Sequence, residues 1–303
     1  MNRSAGNIIG ALVFYSIVSA FCLNGISQAT VFHIKAPADD SVAALEFLRH
    51  YSAQLYKTTG VSIIDTVFVV VASDSREFNS AVGGEVPDWG AAVAIKSRRL
   101  IVIKSPRLFP VGKSLNELLG HELAHIALND AVGGKWLPRW FEEGFCQMMS
   151  GEWRFEQDVL LTRAVWGSGL MSLIELENLN GFGGAKAALA YAESYLAVNS
   201  LTRELGIDFY ADFFSEYGKS GNFYQSFMST SGYKYFDWVS QWQNQTARKY
   251  RFVLYIFDSR LFFPLLAVVF LLFYVLKLYQ VRKKKKEWQR IERIWDNDKG
   301  FTA

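Results

Sequence analysis

The chain has 303 residues, half of them apolar and 16% aromatic, which is enough to bury a core and argues against wholesale disorder. Its formal net charge of +3 hides an asymmetry: residues 282–303 carry eight Lys/Arg against four Asp/Glu, and Arg3 and Lys277 are also positive, so the stretch between the ends is left mildly acidic, at about −3. An acidic body with a short basic tail does not have the footprint of a nucleic-acid binder, and no nucleic-acid partner is expected.

In chain order, the first element is a leader. Arg3 supplies a positive start, IIGALVFYSIVSAFCL an apolar run, and SQA before Thr30 the small residues that a signal peptidase reads, so residues 1–29 read as a signal peptide cut after Ala29. An uncleaved N-terminal anchor is the alternative, although the run is near the lower limit for spanning. Cys22 follows bulky Phe21 and does not read as a lipid-attachment site. Once the leader is gone Cys146 is the only cysteine, so no intramolecular disulfide can form. Cys146 reads as a small buried apolar residue.

Residues 30–250 read as one extracytoplasmic domain. DDSVAALEFLRHYSAQLYK, 39–57, places Val42, Leu45, Leu48 and Leu55 at helical spacing. TVFVVVAS, 66–73, has the pattern of a buried strand, and GAAVAI and RLIVIKS read as two strands joined by a polar turn at Lys96–Arg98. SLNELLGHELAHIAL, 114–128, is a helix opened by Ser114 as N-cap, with Glu117 as its capping-box partner. Gly133 and Gly134 break the chain, Pro138 opens a second short helix, and 155–250 continues as an aromatic-rich helical stretch. The expected fold is α+β, a small antiparallel or mixed sheet packed on the helix that carries HELAH, followed by a mostly helical subdomain.

LFFPLLAVVFLLFYVLKLYQV, 261–281, has the length and composition of a transmembrane helix, with Lys277 near one end and RKKKK directly after it. Positive charge stays on the cytoplasmic side, so 282–303 reads as a cytoplasmic tail and the body faces outward, the orientation that a leader also gives. Trp288, Ile291, Ile294 and Trp295 in the tail fall on one helical face, the pattern of a segment lying along the inner membrane surface or of a short solvated tail.

HELAH carries the chemistry. Residues four apart on a helix are about 40° apart around its axis and about 6 Å apart along it, so His121 and His125 can hold one metal ion between them. Glu122 lies about 100° from His121, outside the ligand pair and beside the position of a metal-activated water. A catalytic zinc also needs a third protein ligand, and without one the pattern is weak.

With HELAH followed by LPRWFEEGF, the chain resembles the gluzincin metallopeptidases, the group of aminopeptidase N and the thermolysin-like enzymes, and is closest to bacterial peptidase-MA-like domains. The resemblance spans about residues 60–245. It implies a zincin-like fold, a bound Zn2+, a peptide or protein substrate, and a third ligand from the W-x-x-E-G segment, here Trp140 to Gly144, which maps to Glu143. It assigns His121, His125 and Glu143 as ligands and Glu122 as general base. Glu142 competes with Glu143, but the two lie about 100° apart on a helix and cannot both face one ion; the motif register favours Glu143. Seventeen residues separate His125 from Glu143, one fewer than in the aminopeptidase N relatives. Along AYAESYLAVNSLTRELG the resemblance implies an oxyanion-stabilising tyrosine, and Tyr191 fits that register better than Tyr195. Gln147 reads as helix-surface polarity rather than as support for a ligand. The aminopeptidase signature G-x-M-E-N is absent, and GAAVA, 90–94, carries no acid in the comparable place, so the resemblance points to an endopeptidase. The whole reads as a membrane-anchored zinc metallopeptidase facing the periplasm, with the exposed edge of the 90–104 strands as the place where an extended substrate would lie.

Overall fold

The computed structural model describes residues 13–17, 30–84, 90–109, 112–257 and 259–299. Most of the expected leader, with Cys22 and the Ala29 cut, lies outside the described residues, as do the last four residues of the tail. The chain divides into two units, Met1–Ala247 and Arg248–Ala303.

The first unit is built on a five-stranded sheet in the order β1-β2-β3-β5-β4. β2 (Val31–Ala36), β3 (Thr66–Ala72) and β5 (Leu100–Lys104) run parallel. β1 (Val13–Ile17) and β4 (Ala92–Ile95) pair antiparallel at the two edges. β1 falls inside the apolar run read as a leader; removal of that leader would leave β2 as an edge and the other four strands paired as they are. β2 was not expected, although Phe32, Ile34 and Ala36 alternate inward with period two. α2 (Ser75–Val82) was not expected either; it is only eight residues long, capped by Asp74, and places Phe78 over Ala72, Leu100 and Val102 on the sheet's second face.

The other face of the sheet carries the helices. α1 (Ala38–Thr59) packs on α3 (Leu115–Ala131), burying Ala44, Leu48, Tyr51 and Leu55. α3 starts where the sequence places it: Ser114 Oγ accepts from the Glu117 amide, and Glu117 Oε2 accepts from the Ser114 amide at 2.7 Å. The helix buries Leu118, Leu119, Leu123, Ile126 and Leu128, and each such side chain contributes roughly 1.5–3 kcal/mol of burial free energy. It is tied to the edge hairpin by Arg99. Arg99 sits at φ 47° in the tight turn between β4 and β5, a left-handed conformation that disfavours a side chain, and its guanidinium makes a two-pronged pair with Asp130 at 2.7 and 3.0 Å. The edge strand is thereby held to the motif helix.

α4 (Arg139–Ser150) packs on α3 and, more closely, on α6 (Gly184–Leu205). α4 begins one residue after Pro138, which occupies the cap position rather than the first turn. Gly144 makes the α4–α6 approach possible, because a Cβ there would lie 2.2 Å from the Ser194 carbonyl oxygen. α5 (Phe155–Trp166) also packs on α6. α7 (Phe209–Ser220), α8 (Phe223–Ser231) and the first part of α9 (Tyr235–Phe257) close an aromatic core around Trp140 and Phe141. The expected α+β architecture, a small mixed sheet against the motif helix followed by helices, is the one observed.

In the second unit, α10 (Ser259–Lys299) is continuous for 41 residues. Residues Phe263–Ile291 are long and apolar enough to cross a membrane, and large apolar side chains from Phe263 to Tyr279 are exposed along it. Trp288 and Ile291 are exposed on the same helix.

Candidate functional site

α3 and α4 meet so that their polar side chains face one another in an otherwise apolar core. His121 and His125, one turn apart, bring their Nε2 atoms to 3.2 Å. Glu143 Oε2 reaches in from α4, 3.4 Å from His121 Nε2 and 3.7 Å from His125 Nε2. Among the described residues, these three form a group able to hold a metal ion. The fit to zinc is close: donors about 2.0 Å from a tetrahedral ion stand about 3.3 Å from one another. Glu143 Oε2 is buried and accepts no hydrogen bond, so this carboxylate oxygen is left without a hydrogen-bond partner, which is costly unless a cation meets it. The other oxygen, Oε1, is taken by Arg139 Nη2 at 2.7 Å.

Glu142 is placed differently. Its Oε1 lies 2.8 Å from His125 Nδ1, on the far side of the ring from Nε2, and also accepts from Lys96 Nζ. Glu143, not Glu142, therefore joins the histidines, and Glu142 sits behind one of them. His121 has a similar neighbour: Glu152 Oε1 lies 2.9 Å from His121 Nδ1, close enough for an ion pair but off the line of a hydrogen bond. Glu152 Oε2 accepts from Lys113 Nζ at 2.6 Å, and Ser150 Oγ donates to Oε1 at 3.0 Å. Glu152, Lys96, Lys113 and Arg139 were not singled out from the sequence. Lys96, Lys113 and Glu152 belong to no local motif and meet their partners only through the fold, whereas Arg139 stands one helical turn before Glu143 within PRWFEEGF, an i,i+4 spacing that was the available signal.

Charge and burial shape the protonation of the cluster. Burial pushes the Glu122 carboxyl up, against the pull of the two histidines. Burial would also raise Glu143, but His125, His121 and Arg139 overcome it and hold the carboxyl down at about 2. Burial and Glu152 act oppositely on His121; Glu152, aided by Glu143 and Glu122, wins and lifts the imidazole to about 10 in the protein alone. Burial opposes but does not prevent the lowering of Glu152 to about 2 by His121 and Lys113. Burial drives the Cys146 thiol well above its ordinary value, in keeping with the inert buried cysteine expected.

A cavity of about 530 Å³ opens beside the cluster. His121, Glu122 and Tyr191 line it, together with Gly90, Ala91 and Ala92 from the edge-strand side and Lys113, Glu152 and Gln147 from the other elements. Tyr191 is pushed up by burial and by the nearby Glu143 charge. Tyr195 instead stacks on Trp153 with ring centres 4.5 Å apart. Gln147 corrects the expectation of a surface polar group: it is buried, its Nε2 has no hydrogen-bond partner, and it lines the cavity.

Residues 49–248 match the Peptidase MA superfamily. No curated protein matches the sequence. Among solved structures, a mutant M1 zinc metallopeptidase from Deinococcus radiodurans aligns at 14% identity and a TM-score of 0.45, covering 79% of this chain and 52% of its own. Legionella pneumophila aminopeptidase A, solved with aspartic acid, aligns at 16% identity and a TM-score of 0.43, covering 76% and 28%. A two-domain M1 zinc metallopeptidase bound to L-arginine aligns at 14% and 0.43, covering 79% and 51%. The chain thus spans about half or less of the length of these structures.

Proposed function

Because the chain belongs to the Peptidase MA superfamily, we propose that it is a membrane-anchored, zinc-dependent metallopeptidase that cuts peptide bonds inside a chain, on the extracytoplasmic side of the membrane. The observation that carries this reading is the convergence of His121 Nε2, His125 Nε2 and Glu143 Oε2, which accepts no hydrogen bond, beside a cavity that Glu122 and Tyr191 also line. His121, His125 and Glu143 would hold the ion. Zinc bound there supplies a Lewis acid and lowers the pKa of a water molecule.

The remaining chemistry falls to the chain. Glu122 takes the proton of the attacking water on its carboxylate and passes it to the leaving amine nitrogen. Its burial, which raises its pKa, makes it a better proton holder than an exposed glutamate. The Tyr191 hydroxyl donates to the carbonyl oxygen as negative charge develops there. β4 is an edge strand, and Ala91 and Ala92 line the cavity, so an extended substrate can add to the sheet along it. GAAVA, 90–94, carries no acid at the place where the aminopeptidase signature has its glutamate, and this supports an endopeptidase. The domain plan is a leader over 1–29, the peptidase over 30–250, a span over 261–281 and a basic cytoplasmic tail over 282–303, with the body in the periplasm of a bacterial cell. The exposed apolar surface of α10 and the RKKKK run after it support that topology.

The test is zinc content and turnover of the full chain in detergent. Wild type is expected to bind one zinc and to cleave an internally quenched peptide blocked at both ends. Glu143→Ala loses the zinc, whereas Glu122→Gln keeps it and loses turnover by about 10²–10⁴-fold. Zinc binding with no cleavage of any blocked or free peptide would make the domain a peptidase-like binding module instead.

A further inference from the structure

The two histidines are each gripped from behind. A neutral imidazole that binds a metal through Nε2 carries its proton on Nδ1, and a carboxylate at Nδ1 fixes that tautomer and the direction of the ring. His125 has Glu142 Oε1 at 2.8 Å from Nδ1 in hydrogen-bond geometry, and His121 has Glu152 Oε1 at 2.9 Å from Nδ1 as an ion-pair contact off the hydrogen-bond line. Both carboxylates are almost fully buried, with side chains 9% and 5% exposed, a setting in which an unpaired charge is expensive. Neither is unpaired. Lys96, from the 3-10 turn that follows β4, pairs with Glu142, and Lys113, from the segment that leads into α3, pairs with Glu152. The lysines are 36% and 40% exposed, so each connects the surface to the centre through one carboxylate and one imidazole.

We propose that Glu142 and Glu152 are positioning residues that set the metal affinity of this centre, Glu142 through its hydrogen bond with His125 Nδ1 and Glu152 through its charge beside His121 Nδ1, each held in place by a lysine, Lys96 or Lys113. The inference rests on the zinc-peptidase reading above. It also accounts for the doubled glutamate of WFEEG: Glu143 faces the ion and its neighbour braces His125. Lys113 and Glu152 line the cavity as well, so the His121 arm is exposed to whatever enters it.

Competition for zinc between the full chain in detergent and a chelator of known affinity tests this. Glu142→Ala and Glu152→Ala should each weaken zinc binding by about 10–100-fold, the usual effect of removing a partner behind a metal ligand. Lys113→Met and Lys96→Met should weaken it less, with faster zinc release, and should also lower the unfolding midpoint of the zinc-free protein, because each leaves a buried carboxylate without its lysine. Lys113→Arg should restore the affinity, which a purely structural role for Lys113 would not predict. A wild type that binds zinc, with every variant within twofold of it, overturns the proposal and leaves the peptidase reading standing. A wild type that binds no zinc overturns both. If the alanine variants do not fold, the two lysine variants decide, and unchanged zinc affinity in both overturns the proposal.

Discussion

Gly144→Ala is the sharpest test of how α4 and α6 are packed. A Cβ added at Gly144 would lie 2.2 Å from the Ser194 oxygen, 2.6 Å from the Ser194 carbonyl carbon and 2.7 Å from Val198 Cγ2. Val198 can rotate, but the Ser194 atoms are backbone inside α6 and move only with the helix. Restoring an ordinary carbon–oxygen contact of about 3.3 Å requires α6 to retreat by about 1 Å. Overpacking of a close-packed core costs about 1–3 kcal/mol, and a helix-to-helix backbone clash belongs at the top of that range. Alanine recovers about 1 kcal/mol of helix propensity over glycine, which leaves a net loss of about 2 kcal/mol. For a domain of this size that is a fall in Tm of about 4–8 °C. Thermal unfolding of the full chain in detergent reads it directly. The same shift separates Tyr191, on α6, from Glu143, on α4, so peptide cleavage should fall further than stability does. A Gly144→Ala protein as stable as wild type, or more stable by the propensity gain, would refute the close approach of the two helices.

Tyr191→Phe should keep its zinc and lose about 10²–10³-fold in turnover, the usual effect of one lost donor to a developing oxyanion, whereas Tyr195→Phe should stay near wild type because that ring stacks on Trp153; equal losses in steady-state kinetics would count against the assignment. Ser114→Ala removes a capping box at the start of α3 and should cost about 1 kcal/mol in urea unfolding, with no change seen if the cap is not formed. Glu193 is buried on α6 with Oε1 accepting from the Met171 amide and Oε2 without a partner, and burial raises its carboxyl to about 8. The folded state then holds a proton that the unfolded chain gives up, so this contribution to stability is complete below about pH 4.5 and is lost as pH rises to about 8, a change on the order of 5 kcal/mol. Glu193→Gln should flatten that part of the stability–pH curve and make the protein more stable than wild type at pH 9; an unchanged slope would place the titration elsewhere.

The features that could be read from the sequence are the ones encoded locally. The capping box of α3 depends on residues three apart, the histidine pair on residues four apart, and the α10 span on composition alone. Short amphipathic elements are less legible: β2 and α2 are six and eight residues long, so the alternation of Phe32, Ile34 and Ala36 and the Asp74 cap are weak signals that packing against the sheet completes. The partners behind the ligands are hidden for a different reason. Lys96 and Glu142 are 46 residues apart and Lys113 and Glu152 are 39 apart, each pair on different elements, so no window of sequence contains them.

Glu142 and Glu143 show where local reading ends. Helical geometry states that two adjacent glutamates cannot face one ion, yet it does not say which one does. The answer comes from the way α4 crosses α3. That crossing puts Glu143 on the Nε2 side of both imidazoles and Glu142 on the Nδ1 side of His125. Two cations then keep the division fixed. Arg139 occupies Glu143 Oε1, leaving Oε2 as a single free donor, and Lys96 holds Glu142 against the ring. Exchanging the two roles would require α4 to turn by about 100° about its axis. The close contact of Gly144 with Ser194 and the burial of Trp140 and Phe141 in the aromatic core forbid that rotation. The choice between the two glutamates is therefore made by apolar and small residues that fix how α4 is turned, together with the two cations that hold the carboxylates.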